Sequence, residues 1–159
     1  MPANDRHERW RETEREFLKP LSEELSHAHR TLIVGATERA ADGRWENVAL
    51  GMGEQIFTYR QHLPVPIGMV RPWHPPSFDI NLAGPYTVDL AGERVAVLIC
   101  YEQLLAWPIL RAAFDRPTQL IGLANDTWVQ NTRIPAMQRA SLIAWSRLLG
   151  IPVTSAVNR

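Results

Sequence analysis

Glu93-Arg94-Val95-Ala96-Val97-Leu98-Ile99-Cys100-Tyr101-Glu102 is the stretch on which the fold turns. Five apolar residues, Val95 to Ile99, follow one another without a polar break and are bounded by charge. A short run of that kind, rich in Val and Ile, predicts a fully buried strand. In open α/β folds the carboxyl ends of such strands face the ligand crevice. The only cysteine of the chain stands at that end, with a carboxylate two residues later. Cys100 is therefore a candidate nucleophile. On position alone the competing reading is stronger, because a free cysteine is most often a small core residue.

Downstream, the pattern alternates. Strand 94–100 is followed by a helix near Pro108–Phe114, with Pro108 suited to a first helical position. Leu120 to Ala124 forms the next buried strand. A long helix spans 134–149, with Pro135 near its start and Gly150 just past its end. Pro152 to Val157 forms the last strand. This β-α-β-α-β order predicts a sheet covered by helices, with right-handed crossovers if the strands are parallel. The second strand ends in Asn125-Asp126-Thr127-Trp128. If the two strands are neighbours, thiol, carboxylate, amide and indole converge on one pocket.

Upstream, Thr31 to Ala36 is a short strand, and Ala41-Asp42-Gly43-Arg44 is turn chemistry. Asn47 to Leu50 and Gln55 to Tyr59 form a strand pair around Gly51-Met52-Gly53. The prolines of 63–76 exclude regular helix and suggest a rigid surface connector. Residues 1–30 predict an amphipathic surface helix of the same domain, kinked or restarted at Pro20. Trp10, Phe17, Leu21, Leu25 and Ala28 form its apolar stripe. His27 and His29 fit the negative pole of that helix and read as surface residues rather than metal ligands. Residues 31–159 form the domain core.

Bulk properties narrow the function. Lys plus Arg and Asp plus Glu are both 17, so no basic surplus is present to hold a nucleic acid. A single cysteine excludes an internal disulfide and a Cys-based zinc site. No apolar stretch approaches a bilayer-spanning length and no signal segment opens the chain, so the stretch as written is expected to be soluble. The compartment stays open.

The nucleophile-strand decapeptide resembles that of the nitrilase (carbon–nitrogen hydrolase) superfamily. Cys-Tyr-Glu is most similar to the apolipoprotein N-acyltransferase branch. Ala124-Asn125-Asp126-Thr127-Trp128 resembles that branch's Asn-Asp-x-Trp loop. Tyr59-Arg60-Gln61-His62-Leu63-Pro64-Val65-Pro66-Ile67-Gly68 resembles its Tyr-x-Lys-x-x-Leu-Val-Pro-Phe-Gly segment, and Asn158 falls where the family ends a strand in asparagine. With Arg71-Pro72-Trp73 and Trp107-Pro108 added, the string is most similar to the TraB family, plasmid conjugal-transfer proteins that carry a nitrilase-like domain. The resemblance covers roughly residues 31–159.

It implies an α/β fold, the α-β-β-α sandwich, paired face to face as a homodimer. It implies a cysteine that attacks an amide, nitrile or ester carbon to give an acyl-enzyme, a glutamate base, and a lysine that stabilises the oxyanion. Carried over by position, Cys100 is the nucleophile, Glu102 orients groups around the thiol and Tyr101 shapes the pocket. Asn125, Asp126 and Trp128 line the site for a small acyl or amide substrate. No metal and no organic cofactor are implied, nor direct nucleic-acid binding; partners from a conjugation system are.

Departures are equally specific. The lysine position is Gln61, which brings no charge; loss of one oxyanion donor typically costs about 10²–10³ in rate. Arg60 would point to the opposite face of a strand. An expected acidic residue is Met69, and on the helix expected to carry an Arg and a Glu only Arg147 offers a stand-in. No Pro-Glu step exists for the base. Glu8, Glu12 and Glu14 read as a solvated face, leaving Glu38 as the remaining candidate. Two explanations fit. The sequence begins inside the domain, its first strands and base lying upstream, or the domain is degenerate and kept for binding or assembly in conjugation.

Overall fold

The computed structural model describes residues 18–158 except 41, 72 and 74–76. Trp10, Phe17, Glu8, Glu12 and Glu14 lie outside the described residues. The chain divides into two compact units, one of Met1–Val34 with Leu50–Phe57, the other of Gly35–Ala49 with Thr58–Arg159.

In the first unit a helix, α1, covers 18–27. The described helix runs through Pro20 without a break. His29, with φ 53°, turns the chain out of the helix, and Arg30 N–H closes it on Leu25 O at 2.8 Å. Gly53 N–H donates to Ser22 Oγ at 3.1 Å.

Two sheets form. The first has the order β1 (Thr31–Arg39), β2 (Trp45–Gly53), β3 (Phe57–Arg60). The first strand runs three residues beyond the predicted Ala36. The second sheet has the order β4 (Thr87–Leu90), β5 (Glu93–Ile99), β6 (Gln119–Asn125), β7 (Val153–Asn158). β4 and β5 are antiparallel; β5, β6 and β7 are parallel. Ala91 and Gly92, both at positive φ, make the tight hairpin turn between β4 and β5. The two parallel crossovers carry α2 (Ala106–Phe114) and α3 (Ile134–Leu149).

Every residue from Val95 to Ile99 is buried, as the unbroken apolar run requires. The core joins Tyr86, Ala96, Leu98 and Leu120 to Ile109 and Ala112 of α2 and Leu142 of α3. Ala96 and Leu98, two apart, share the face of β5 that the helices cover. α2 starts two residues before Pro108, which therefore occupies its third position rather than its first; in the first turn that N–H would lack a helical acceptor in any case. Gly150, with φ 67°, ends α3 in the left-handed conformation that glycine adopts without strain. No described helix is long and apolar enough to cross a membrane.

The proline-rich stretch 63–76 is exposed or half-buried at its described residues except Pro64, and the buried residues Gln61, His62 and Ser77 flank it. Ser77 anchors its far end, accepting from Arg71 N–H at 2.8 Å.

Helix α3 approaches β6 at Gly122, where an added Cβ would overlap Leu142 Cδ1 and Cδ2. Gly122→Ala is expected to destabilise the fold by about 1–3 kcal/mol, the usual range for overpacking. The check is a lower denaturant midpoint with an unchanged m-value.

Candidate active site

Strand β5 delivers Cys100 into a short 3₁₀ turn, Cys100–Leu104. The cysteine takes φ 52°. A left-handed backbone costs a residue with a Cβ about 1–2 kcal/mol, and such strain is typical of functional positions. The residue is half-buried. Burial pushes its thiol pKa up, and the charges of Asp126 and Glu102 add to this. The Tyr101 backbone N–H and the Gln138 side chain pull the other way.

Glu102 is fully buried. Its Oε1 accepts from His62 N–H at 2.6 Å and Leu63 N–H at 3.0 Å, and its Oε2 accepts from Ile99 N–H at 2.9 Å. One carboxyl thus ties the end of β5 to the segment after β3. Burial raises its pKa to about 7 against the pull of these three donors.

Gln61 is buried and fully engaged. Its Nε2 donates to Ile99 O at 2.7 Å, and its Oε1 accepts from Asn47 Nδ2 at 2.8 Å. Arg60 turns the other way and pairs with Glu46 at 2.8 Å. The two residues follow strand alternation, as the sequence predicts, so neither brings a cation to Cys100. Glu38 is exposed on β1, Met69 is half-buried, and Arg147 is exposed in the last turn of α3.

The second loop divides. Asn125 is exposed at the end of β6, opposite Asn158, and its Oδ1 accepts from Thr127 N–H at 3.2 Å in a local turn. Asp126 is buried, while Trp128 is 62% exposed. Tyr101 is half-buried. A cavity of about 500 Å³ between β6, β7 and α3 is lined by Asp126, and not by Cys100, Tyr101, Asn125 or Trp128. The expected convergence of all these groups on one pocket is thus partial. Asp126 acts on the thiol electrostatically; Asn125 shapes its own loop.

Three residues packed around the candidate site escape sequence reasoning. Gln138, one turn into α3, donates from Nε2 to Cys100 O at 3.0 Å. Gln103 donates to Leu123 O at 2.9 Å and braces the ends of β5 and β6. His62 is buried, stacked on Tyr86 at 4.0 Å and edge-on to Tyr59 at 5.4 Å. Its Nδ1 lies 2.6 Å from Asn81 O and its Nε2 3.0 Å from Pro85 O. The available signal for His62 was its place between Gln61 and an apolar Leu-Pro step. The glutamines carried no comparable signal, since exposed helical glutamines look the same in sequence.

No protein-family model matches the chain. Its fold is that of a carbon–nitrogen hydrolase from Helicobacter pylori G27, with a TM-score of 0.64 and 17% identity, covering 94% of this chain and 52% of that one. An amidase from Nesterenkonia sp. AN1 is similar at a TM-score of 0.65 and 14% identity, covering 92% and 52%. That structure is of a mutant showing covalent addition of the acetamide moiety of fluoroacetamide at the active-site cysteine. Fold and sequence similarity together place this chain in the nitrilase superfamily. Within it, the chain is 38% identical over 141 residues to the conjugal transfer protein TraB of Agrobacterium fabrum (strain C58), covering 84% of this chain and 33% of TraB. It is 30% identical over 130 residues to the apolipoprotein N-acyltransferase of Nitrosomonas europaea, covering 71% and 26%. The chain thus spans about a third of the TraB relative's length and about half of the solved hydrolases.

Proposed function

We propose that this domain performs thiol-dependent acyl chemistry on a small amide or acyl substrate, as part of a conjugal-transfer protein. The observation that carries the reading is Cys100 itself: the strained residue ending the buried strand, flanked by the Tyr101 N–H and Gln138 amide. In the step proposed, sulfur attacks the acyl carbon and gives up its proton to a base. The C–N bond breaks, the amine leaves protonated and a thioester remains. Water or an amine then takes the acyl group. Glu102 serves as a positioning residue, holding Ile99 and the His62-Leu63 backbone in register around the thiol. Asn125, Asp126, Tyr101 and Trp128 are proposed to meet the substrate, with Gln61 a neutral donor in the lysine's place. Exposed Trp107, Leu110 and Phe114 on α2 favour the homodimer that the resemblance implies.

A second reading, a degenerate domain with an assembly role, draws on a different observation. Burial raises the thiol, the Gln61 amide already donates to Ile99 O, and the neighbouring cation, Arg60, pairs with Glu46. Intact-mass spectrometry after incubation with p-nitrophenyl acetate and with fluoroacetamide separates the two. The catalytic reading expects an acyl adduct at Cys100 that is absent from Cys100→Ala. No adduct, together with alkylation by iodoacetamide no faster than a model thiol, would assign the domain to assembly.

A further inference from the structure

The His62 ring faces more acceptors than a neutral imidazole can serve. Its Nδ1 lies 2.6 Å from Asn81 O and its Nε2 3.0 Å from Pro85 O. A carbonyl oxygen only accepts, so each contact needs an N–H on the ring. A neutral imidazole has one N–H and one bare lone pair, whereas the imidazolium has two N–H groups. The residue is 2% exposed, so bulk water does not replace either partner.

The surroundings suit the doubly protonated ring. It stacks on Tyr86, with planes 18° apart, and an aromatic face attracts a cation. The Glu102 carboxyl accepts from the backbone N–H of the same residue and, when ionised, supplies a counter-charge to a buried cation. The other ionisable groups packed here are Tyr59 of β3, edge-on to the ring, and Arg111 of α2, whose guanidinium lies 5.7 Å from the centre of the Tyr86 ring. Arg111 opposes the charge, but it is exposed and screened by solvent.

The ring holds a strap, residues 81–85. Leu82, Ala83 and Pro85 are exposed, and Asn81 is half-buried. The strap passes so close that a Cβ on Gly84 would come within 2.7 Å of His62 Cε1. Asn81 N–H also donates to His62 O at 3.0 Å, and Tyr86 O–H to Leu82 O at 3.3 Å. With little apolar burial of its own, the strap depends on such polar contacts to stay down.

We propose that His62 is a protonation-gated clamp: as an imidazolium it donates to Asn81 O and Pro85 O and holds the 81–85 strap closed, and loss of one ring proton sets a lone pair against one carbonyl and releases the strap. Closure is complete at low pH and is lost as pH rises through the titration of the ring. The clamp sits on the segment whose His62 and Leu63 N–H groups bind Glu102. It stands whether or not Cys100 is catalytic.

The test is long-range ¹H–¹⁵N NMR of the histidine rings across the pH range in which the protein stays folded, with His62 assigned by its loss in His62→Gln. At the acid end, both His62 ring nitrogens are expected to carry protons. Loss of one with rising pH should coincide with an acceleration of at least tenfold in hydrogen exchange at the Asn81 and Ala83 amides, which donate to His62 O and Asn81 Oδ1. That acceleration is measured beyond the base-catalysed increase of an exposed reference amide. In His62→Gln, checked for folding by circular dichroism, a single NH₂ cannot span both carbonyls. There the two amides should exchange fast throughout and follow the reference. A parent ring with one bare nitrogen at every pH would overturn the proposal, whether or not the variant folds. Equal protection of Asn81 and Ala83 in folded His62→Gln and in the parent would overturn it too. A pH response that persists in the variant would belong to Glu102, which titrates at about 7, and would overturn the clamp.

Discussion

Glu102→Ala is expected to lose about 3–6 kcal/mol of stability, because two buried N–H groups and one half-buried N–H lose their acceptor together, and a fully buried orphan costs about 1–3 kcal/mol. The groups belong to Ile99, His62 and Leu63, so the damage falls on the joint between β5 and the segment that carries Gln61. Glu102→Gln should be milder but still destabilising: its oxygen can serve two donors, while its NH₂ meets the third donor head-on. The pH dependence separates charge from geometry. The folded protein holds the Glu102 proton more tightly than an ordinary carboxyl with pKa 4.5, up to about 7. Stability from this group is therefore complete below about 4.5 and declines as pH rises through about 7. Glu102→Gln should flatten that decline. Urea melts at several pH values read both effects, and a Glu102→Ala midpoint equal to that of the parent would show that the three donors find other acceptors.

Gln61→Lys should raise the rate of Cys100 alkylation near neutral pH by tenfold or more. Gln61 Nε2 lies 2.7 Å from the carbonyl of the residue preceding the thiol. A cation about 6 Å from a developing thiolate, at an effective dielectric constant near 20, stabilises it by roughly 3 kcal/mol. That energy corresponds to about two pKa units. Part of the gain is returned because a less basic thiolate is a weaker nucleophile. Glu102, buried alongside, offers the new ammonium a counter-charge and limits its desolvation cost. The rate of iodoacetamide modification against pH should shift to lower pH as a whole. A profile unchanged from the parent would place position 61 out of electrostatic reach of the thiol.

These effects bear on what could be read from residues alone. The Val95–Ile99 run made β5 legible because total burial leaves no polar position to confuse the period. Pro135 and Gly150 bounded α3 to the residue because each restricts the backbone in its own way. The opposite facing of Arg60 and Gln61 followed from strand alternation. The partners of Gln61 did not, since Asn47 and Ile99 are distant in sequence and meet only through the fold. The same holds for Glu102, whose three donors come from two separate segments. The burial of Gln61, His62 and Ser77 on either side of the proline-rich stretch was missed because proline content reports backbone restriction and says little about burial. Gln138 was invisible for a similar reason: helical periodicity placed it on α3, but only the crossover brings it to Cys100.

The left-handed backbone at Cys100 has a consequence for mutational drift. Glycine, or asparagine at smaller cost, would relieve the conformation, so a lineage indifferent to the thiol would gain stability by losing it. This chain carries a side chain that the backbone disfavours at the position where the strand ends. Among substitutions open to position 100, the stabilising ones are those that remove the sulfur, so folding and the proposed thiol chemistry pull in opposite directions at this site.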